Sequence, residues 1–386
     1  NMVVYNDRLY FSARNLTSGF ELWSTDGTSA GTGIVADLTT ANSGTQAQYY
    51  NGPTNLTVCN GKLFFSGYSN QGYELHVSDG TSVGTTMVKN IQVYDSSNPS
   101  YLVCMNNVLY FAADDSYYWQ SNSGTFGNEL WRSDGTSAGT YRIDDINTAA
   151  ETFGTGGITG TADSNPSWLT VAGNRIFFSA TNSSNETELY YTDGTTTTKV
   201  DVLAGAGSSN PRYLTLYNGL VYFSAYTPTT GWDMFSIDPN SLAITSVDVR
   251  PGSSSYQFLQ PVVMGGLMWF QSEGEMHTSD GTAANTGEFE NLLPSGNSNP
   301  DMLRSFGGAI MYVTYDAVLG SQPRYIIGQG IYTVSYLGNG STSGTVPPDT
   351  SVMSISASVA GNTGNLVRTG FRFVGWNTSP TGVGTS

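Results

Sequence analysis

One block of sequence returns along the chain, and it constrains the fold more than any other feature. The full block begins near Asn-Pro, continues to an apolar-aromatic triplet, an acid-led triplet and Asp-Gly-Thr, and ends in a short apolar run, and some copies lack one of these parts. The apolar-aromatic triplet occurs seven times, starting at Leu9, Leu63, Leu109, Ile176, Val221, Met268 and Ile310. The acid-led triplet occurs six times, starting at Glu21, Glu74, Glu129, Glu188, Asp233 and Glu275.

Each copy contains four short strand candidates, which we call a to d. Strand a follows Asn-Pro, strands b and c are the two triplets, and strand d follows the Asp-Gly-Thr turn. Four strands at a period of about 40–50 residues are typical of a propeller blade. The prediction is an all-β propeller of four-stranded antiparallel blades. Seven blades are expected, and six blades with an odd closing strand are the alternative.

The seventh copy is incomplete. It has strand b and, over 324–327, a strand c, but no evident strand d. Residues upstream of Asn1 are one source of the missing strand. The chain begins at Asn1 rather than at an initiator Met, so we expect a mature or trimmed part of a longer protein.

The Asp-Gly-Thr turn is predicted to be structural rather than catalytic. It begins at Asp26, Asp79, Asp134, Asp193 and Asp280. An Asp carboxylate accepts hydrogen bonds from backbone N–H groups two residues further along the chain. The two glycines of 26–32 are expected where the chain must reach positive φ.

Composition supports the all-β prediction and excludes several partners. The 46 glycines, 24 tyrosines and 17 phenylalanines suit short strands joined by tight turns. The formal net charge of −16 offers no basic face, so nucleic acid and anionic membrane surfaces are poor partners. No run of 18 apolar residues occurs, and direct membrane insertion is not expected.

The blocks 21–32 and 129–140 resemble the ELWxxDGT repeat family of bacterial and archaeal surface proteins. The resemblance covers about residues 2–328, with looser copies from the fourth onward. It implies a propeller and an extracellular or cell-surface location. It implies no defined enzymatic activity.

The pattern changes after Gly328. Residues 331–336 alternate like a strand and lead into the turn signal Gly-Asn-Gly at 338–340. The stretch 368–377, Arg-Thr-Gly-Phe-Arg-Phe-Val-Gly-Trp-Asn, resembles the Listeria–Bacteroides repeat, which is related to the internalin B-repeat. That resemblance implies a small β-grasp-like module. We therefore expect a propeller over 1–328 and this module, truncated at its C-terminus, over 329–386.

Few residues are candidates for chemistry. His76 and His277 occupy the third position of strand c, where two other copies have Trp, so packing roles are expected. The acids that open strand c form a recurring set that suits Ca²⁺, but a residue present in every blade favours a hydrogen bond to the neighbouring strand or blade. No cofactor is predicted, and Ca²⁺ is the alternative.

Enzyme motifs are missing from the sequence. It contains no Gly-x-Ser-x-Gly, P-loop or Cys-x-x-Cys. No pair of carboxylates departs from the repeat in the way that a glycosidase needs. A non-enzymatic protein is therefore predicted.

The only two cysteines lie on strand a of successive copies. Cys59 is four residues before Leu63, and Cys104 is five residues before Leu109. This offset of one residue places the two thiols on opposite faces of equivalent strands. Because neighbouring blades meet through opposite faces, the prediction is a disulfide between blades, provided that the strands converge there. Two free thiols are the alternative.

Long insertions lie at 39–51, 114–127 and 147–164, in connections that leave the same face of a propeller. Two of these loops carry aromatic residues, namely Tyr49, Tyr50, Tyr117, Tyr118 and Trp119. Aromatic side chains on loops anchor partners or stack on sugars, so these five residues are the predicted binding site. The alternative is that they pin the loops to the scaffold.

The function predicted from the sequence is a secreted or cell-surface interaction module that does not catalyse a reaction. Adhesion, or a place in a surface layer, stalk or filament, would suit it. The expected partner is a protein or a surface glycan, including copies of the chain itself or other segments of a longer surface protein. The alternative is a carbohydrate-binding, lectin-like or glycosidase-like propeller.

Overall fold

The fold is an all-β propeller with seven blades, as the repeats predict. The computed structural model describes residues 2–15, 18–38, 52–93, 95–116, 126–153, 158–203, 205, 207–249, 255–290, 298–306, 309–316, 320–327, 330–334, 341–346, 350–354 and 365–370. Among these, the only helical element is a 3-10 turn at Ala283–Asn285. In the part of the chain so described, no helix is long and apolar enough to cross a bilayer.

The blades are antiparallel meanders in chain order. Blade 1 consists of β1 (Met2–Tyr5), β2 (Arg8–Asn15), β3 (Gly19–Thr25) and β4 (Gly33–Ala36). Blade 2 consists of β5 (Thr54–Cys59), β6 (Lys62–Ser69), β7 (Gly72–Ser78) and β8 (Thr86–Lys89). Blade 3 consists of β9 (Ser100–Met105), β10 (Val108–Asp114), β11 (Asn128–Ser133) and β12 (Tyr141–Arg142). A separate hairpin, β13 (Ala150–Phe153) and β14 (Ile158–Thr161), lies in the connection to blade 4.

The remaining blades follow the same order. Blade 4 consists of β15 (Ser167–Ala172), β16 (Arg175–Thr181), β17 (Thr187–Thr192) and β18 (Thr197–Val200). Blade 5 consists of β19 (Arg212–Tyr217), β20 (Leu220–Thr227), β21 (Gly231–Ile237) and β22 (Ile244–Ser246). Blade 6 consists of β23 (Leu259–Met264), β24 (Leu267–Ser272), β25 (Glu275–Ser279) and β26 (Gly287–Glu290).

Blade 7 has three strands among the described residues. These are β27 (Asp301–Phe306), β28 (Ala309–Asp316) and β29 (Gly320–Ile327). Strand β29 includes the strand c predicted over 324–327. A further hairpin follows, formed by β30 (Gly330–Val334) and β31 (Thr350–Ser354). Most of the repeat-like stretch at 368–377 lies outside the described residues.

The chain divides into two compact units. Unit 1, Asn1–Gln257, contains blades 1 to 5. Unit 2, Phe258–Ser386, contains blades 6 and 7 and the last hairpin.

Packing between blades explains why strand b is apolar at successive positions. Strand β6 is buried at five successive residues, 63–67, because both of its faces are covered. On one side, Phe64 and Leu75 of blade 2 pack against Phe111 and Trp131 of blade 3. In a sheet with one face exposed to solvent, apolar and polar residues would instead alternate along each strand.

The Asp-Gly-Thr turn is built by side-chain hydrogen bonds. Asp26 Oδ1 accepts from Thr28 N at 2.9 Å and from Thr28 Oγ1 at 2.7 Å. Thr28 Oγ1 in turn accepts from Gly31 N at 2.9 Å. The same pair of bonds to a Thr two residues later recurs at Asp79, Asp134, Asp193 and Asp280. The bonds from Thr28 hold the pKa of Asp26 below its usual value.

The two glycines of this turn serve different purposes. Gly27 has φ +92°, in the left-handed region that favours glycine. Gly31 is outside that region, so the prediction that both glycines need positive φ is wrong. A Cβ at Gly31 would lie 2.0 Å from the carboxylate oxygens of Asp26, so this glycine makes room for the Asp side chain.

The glycine of Asp-Gly-Thr also contacts an aromatic side chain of the preceding blade in some of the turns. A Cβ at Gly194 would lie 2.3 Å from the hydroxyl oxygen of Tyr110, which is on strand b of blade 3. Gly80 has the same relation to Tyr10. The turn of one blade therefore packs against strand b of the blade before it.

We expect Gly194→Ala to lower the free energy of unfolding more than Gly27→Ala does. Both residues have positive φ, at +100° and +92°, so each substitution introduces about 1–2 kcal/mol of backbone strain. Only at Gly194 does the new Cβ also meet Tyr110, since Gly27 has no atom within 4 Å; overpacking of this kind costs about 1–3 kcal/mol more. Thermal unfolding measures both losses. Tyr110→Phe should recover part of the loss at Gly194 and none at Gly27, and equal losses at the two glycines would contradict the contact.

A disulfide joins blades 2 and 3. Cys59 of β5 and Cys104 of β9 are bonded, and their Cα atoms are 5.4 Å apart. Cys59 pairs across its blade with Lys62, whereas Cys104 pairs with Leu109. The one-residue offset in sequence is therefore present in the register of the two strands.

Removing this disulfide should destabilise unit 1. Cys59→Ser with Cys104→Ser opens a loop with a sequence separation of 45, and loops of this size contribute about 3–5 kcal/mol. The thermal midpoint of the double variant should fall and become insensitive to a reductant. The wild type measured with and without reductant is the control. A double variant that melts with the oxidised wild type would refute the expectation.

Candidate functional site

The binding loops predicted from the sequence fall largely outside the structure. Tyr49, Tyr50, Tyr117, Tyr118 and Trp119 all lie outside the described residues. The third loop, 147–164, contains the hairpin β13–β14.

The acidic residue at the start of the strand c triplet accepts hydrogen bonds from the connection that leads from its blade to the next one. Glu74 is fully buried, and its Oε1 accepts from the backbone N–H groups of Gln92 and Ser97, both at 3.2 Å. Its Oε2 accepts from Ile91 N at 3.0 Å and from Ser97 Oγ at 2.6 Å. All these donors belong to the connection from blade 2 to blade 3. The same carboxylate–serine bond occurs in three other blades, as Glu129 with Ser164, Glu188 with Ser209, and Glu275 with Ser298.

Burial raises the pKa of three of these carboxyl groups, those of Glu74, Glu129 and Glu188. It raises the pKa of Glu74 to about 7 and that of Glu129 to about 8, against the opposing effect of their hydrogen bonds. A serine hydroxyl both donates and accepts, so the carboxyl–serine pair persists in either protonation state. The neighbours of these carboxyls are donors, as suits an anion. Across the described ranges, no three His, Cys, Asp or Glu side chains come together as a metal site requires.

Glu129 should make the stability of unit 1 depend on pH. Its pKa is about 8 in the folded chain and about 4.3 in an unfolded one, so the folded state holds an extra proton between these values. Its contribution to stability is complete below the unfolded pKa and is lost as the pH rises toward 8. Thermal midpoints from pH 5 to 8 should therefore fall less steeply in Glu129→Gln than in the wild type. The exposed Glu151→Gln is the matched control, and unchanged slopes in both variants would disprove the assignment.

The two histidines are packing residues in their own blades. His76 is buried and stacks on Phe65, with ring centroids 5.5 Å apart. Burial lowers the pKa of His76 to about 4, so its imidazole is neutral. His277 lies beside Phe270 at 5.9 Å. Neither arrangement suggests a catalytic base.

A feature that the sequence analysis missed lies at the start of strand a. In blades 2 to 7 the register between strands a and b shifts there. The second residue of the strand has φ between +50° and +60°, and these residues are Asn55, Tyr101, Trp168, Tyr213, Gln260 and Met302. Bulky side chains rarely adopt this conformation, and such strain concentrates at functional sites.

At four of these bulges, in blades 2, 3, 4 and 6, the side chain contacts the next blade. Asn55 Nδ2 donates to Pro99 O of blade 3 at 3.2 Å. In blades 3 to 5 the contacts are between aromatic rings: Tyr101 and Trp168 have centroids 5.7 Å apart, and Trp168 and Tyr213 have centroids 4.4 Å apart. We call these three residues the aromatic arc.

The aromatic arc is partly open and uncharged. Tyr101 is 38% exposed, and Trp168 and Tyr213 are half-buried. Burial, with a smaller effect of Tyr213, raises the pKa of Tyr101, so its phenol is protonated at neutral pH. In β5, β9, β15 and β19 the only charged residue is Arg212, and its guanidinium lies 3.7 Å from the ring centroid of Trp232.

The arc lies where a ligand can meet it. The strands a of successive blades adjoin one another, as the contacts from Asn55 to Pro99 and from Tyr101 to Trp168 show. Such innermost strands line the central channel of a propeller. The sequence did carry a signal, because a large aromatic residue stands two positions after Asn-Pro in three successive copies. Its meaning depended on φ, which the repeat pattern does not reveal.

Comparison with solved structures finds the same fold in enzymes. No protein-family model matches the chain, and no curated protein sequence is significantly similar to it. The structure of a puromycin-hydrolyzing peptidase from Mycobacterium tuberculosis is similar with a TM-score of 0.53 and 10% identity, covering 84% of this chain and 51% of that one. A structure from an analysis of two prolyl endopeptidases is similar with a TM-score of 0.53 and 13% identity, covering 89% and 52%. This chain spans about half the length of either match.

These matches overturn the predicted class of function. At such low identity the likeness shows the fold alone, but both similar structures are peptidases. The prediction of a non-catalytic adhesion or assembly module, with a carbohydrate-directed propeller as its alternative, is wrong on this finding, and so is the prediction that no enzyme is involved. The physical reason is that the repeated residues serve turns and blade packing, which a propeller needs whatever its function.

Proposed function

We propose that this propeller is the peptide-holding part of a peptidase-like hydrolase and that the aromatic arc binds peptide side chains. The observation that carries the proposal is the arc itself, three adjacent aromatic rings held by a strained backbone on successive inner strands. The fold shared with two peptidases supports peptides as the ligand class. Because the chain spans about half the length of those proteins, the catalytic groups are proposed to lie outside the propeller.

The chemistry of the arc favours an uncharged peptide segment. Aromatic faces pair with other rings at about 0.5–1.5 kcal/mol each, beyond the area that they bury. No carboxylate lies on β5, β9, β15 or β19, so a cationic side chain would find no partner on these strands. Val58 and Leu216, further along two of the same strands, are partly exposed and extend the apolar surface. A backbone fixed before binding reduces the entropy lost when the ligand binds.

We propose an extracellular location for this activity. The disulfide between Cys59 and Cys104 supports an oxidising compartment, where such bonds form and persist.

Replacing the central ring of the arc should weaken peptide binding. The probe is the tetrapeptide amide Ala-Phe-Leu-Ala-amide, blocked at its N-terminal amine by fluorescein, and its binding to the full chain is followed by fluorescence anisotropy. Trp168→Asn should lower the affinity about tenfold, which corresponds to about 1.4 kcal/mol. Asparagine suits this position, because Asn55 has the same positive φ in blade 2.

Two further variants control this experiment. Trp168→Tyr keeps an aromatic ring in a conformation that Tyr101 and Tyr213 already adopt, so it should retain most of the affinity. Tyr141→Ala removes an aromatic residue that is 46% exposed on strand β12, and it should leave binding unchanged. The proposal fails if the probe does not bind the wild type, or if Trp168→Asn binds it as tightly as the wild type does.

A further inference from the structure

Threonine residues link the inner strands of neighbouring blades. Thr57 Oγ1 of blade 2 lies 3.2 Å from Leu102 O of blade 3 and 3.1 Å from Asn55 O of its own strand, so its one proton is shared between two carbonyls. Thr170 Oγ1 of blade 4 lies 3.0 Å from Leu214 O of blade 5 and 3.0 Å from Trp168 O of its own strand. Both acceptors in the next blade follow the positive-φ residue of a bulge, where strand a leaves its register with strand b. The threonine of one blade thus supplies a donor to a carbonyl that the bulge has displaced.

No threonine hydroxyl is available for such a bond between blades 3 and 4, because the position holds valine in blade 3, as it also does in blades 1 and 6. Val103 occupies the threonine position in blade 3, because it pairs with Tyr110 as Thr57 pairs with Phe64. Val103 packs against the cluster that contains Leu169, but it has no hydroxyl to donate. The carbonyl of Leu169, the counterpart of those of Leu102 and Leu214, therefore lacks the threonine donor.

The missing hydroxyl coincides with the centre of the aromatic arc. Leu169 directly follows Trp168, the ring that contacts both of the others. Trp168 and Thr170, on either side of Leu169, are only half-buried, and so is Val103. Native proteins pair nearly all buried backbone carbonyls, so we expect a donor other than a threonine hydroxyl at Leu169 O.

We propose that the carbonyl oxygen of Leu169 is the hydrogen-bond acceptor of the peptide site and takes an amide N–H from the bound ligand. This inference rests on the proposed function and specifies its substrate class. The ligand is a peptide whose secondary amide lies beside an apolar or aromatic side chain, so that the amide reaches Leu169 O while the side chain meets Trp168. A tertiary amide at that point, as in an N-methylated residue or before proline, has no N–H and binds more weakly.

The test introduces at position 103 the threonine that blades 2 and 4 carry at the same place. Val103→Thr should supply Leu169 O with the donor that Thr57 and Thr170 supply elsewhere. The variant is expected to melt at or above the wild-type temperature and to bind the fluorescein-labelled Ala-Phe-Leu-Ala-amide probe about 3- to 10-fold more weakly, as expected for one lost hydrogen bond. Val103→Ala, which removes bulk without adding a donor, should keep the wild-type affinity.

A second probe isolates the N–H group. Methylating each amide nitrogen of the peptide in turn should reveal one position where the wild type loses about 3- to 10-fold in affinity. At that position Val103→Thr should be nearly insensitive to methylation, because its own hydroxyl already occupies the acceptor. Equal sensitivity of the two proteins at every position overturns the proposal.

The outcomes separate this inference from the proposed function. If Trp168→Asn weakens binding while Val103→Thr binds as the wild type does, the acceptor role of Leu169 is refuted and the arc remains a peptide site. If neither variant changes binding of the probe, or the wild type does not bind it, both proposals fail.

Discussion

In blades 1 to 6, a buried carboxyl group at the start of strand c holds the blade to the chain that leaves it. In blade 2 that group is Glu74, and it gathers three backbone N–H groups and one serine hydroxyl from a connection that has no strand partner of its own. Buried backbone groups must be paired, and a connection between blades finds no ladder in which to pair them. One buried acid in each of blades 1 to 6, a glutamate except for Asp233 in blade 5, solves this problem, which is why an acid recurs at this place despite the free-energy cost of burying it.

The sequence revealed most of what every blade shares. Strand b could be placed because both of its faces are buried, so Leu63, Phe64 and Phe65 form an unbroken apolar run. The disulfide followed from an offset of one residue between Cys59 and Cys104. The fold class, the blade count and the strand order are therefore properties of residue type and spacing.

The remaining features depend on backbone angles and on neighbours far away in sequence. Tyr101 and Trp168 read as ordinary strand residues, and only their positive φ turns them toward the next blade. Gly31 read as a conformational glycine, but the Asp26 carboxylate beside it is the real constraint. The prediction of a non-catalytic interaction module was wrong for a related reason. Repeated residues indicate how the blades pack, whereas a functional site forms where the repeat departs from its pattern. The aromatic residues of the arc are departures of this kind, since the same position holds Asn55, Gln260 and Met302 in other blades.

The contact between Tyr110 and Gly194 also limits how such a chain can evolve. Blades 2 and 3 each carry both halves of this kind of contact, since Gly80 faces Tyr10, Gly135 faces Phe64 and Gly194 faces Tyr110. Duplication or loss of a whole blade preserves the match at each new junction. Recombination within a blade separates the two halves and places a hydroxyl against a turn that has not made room for it. Intact blades are therefore the units that gene duplication can copy, and single strands are not.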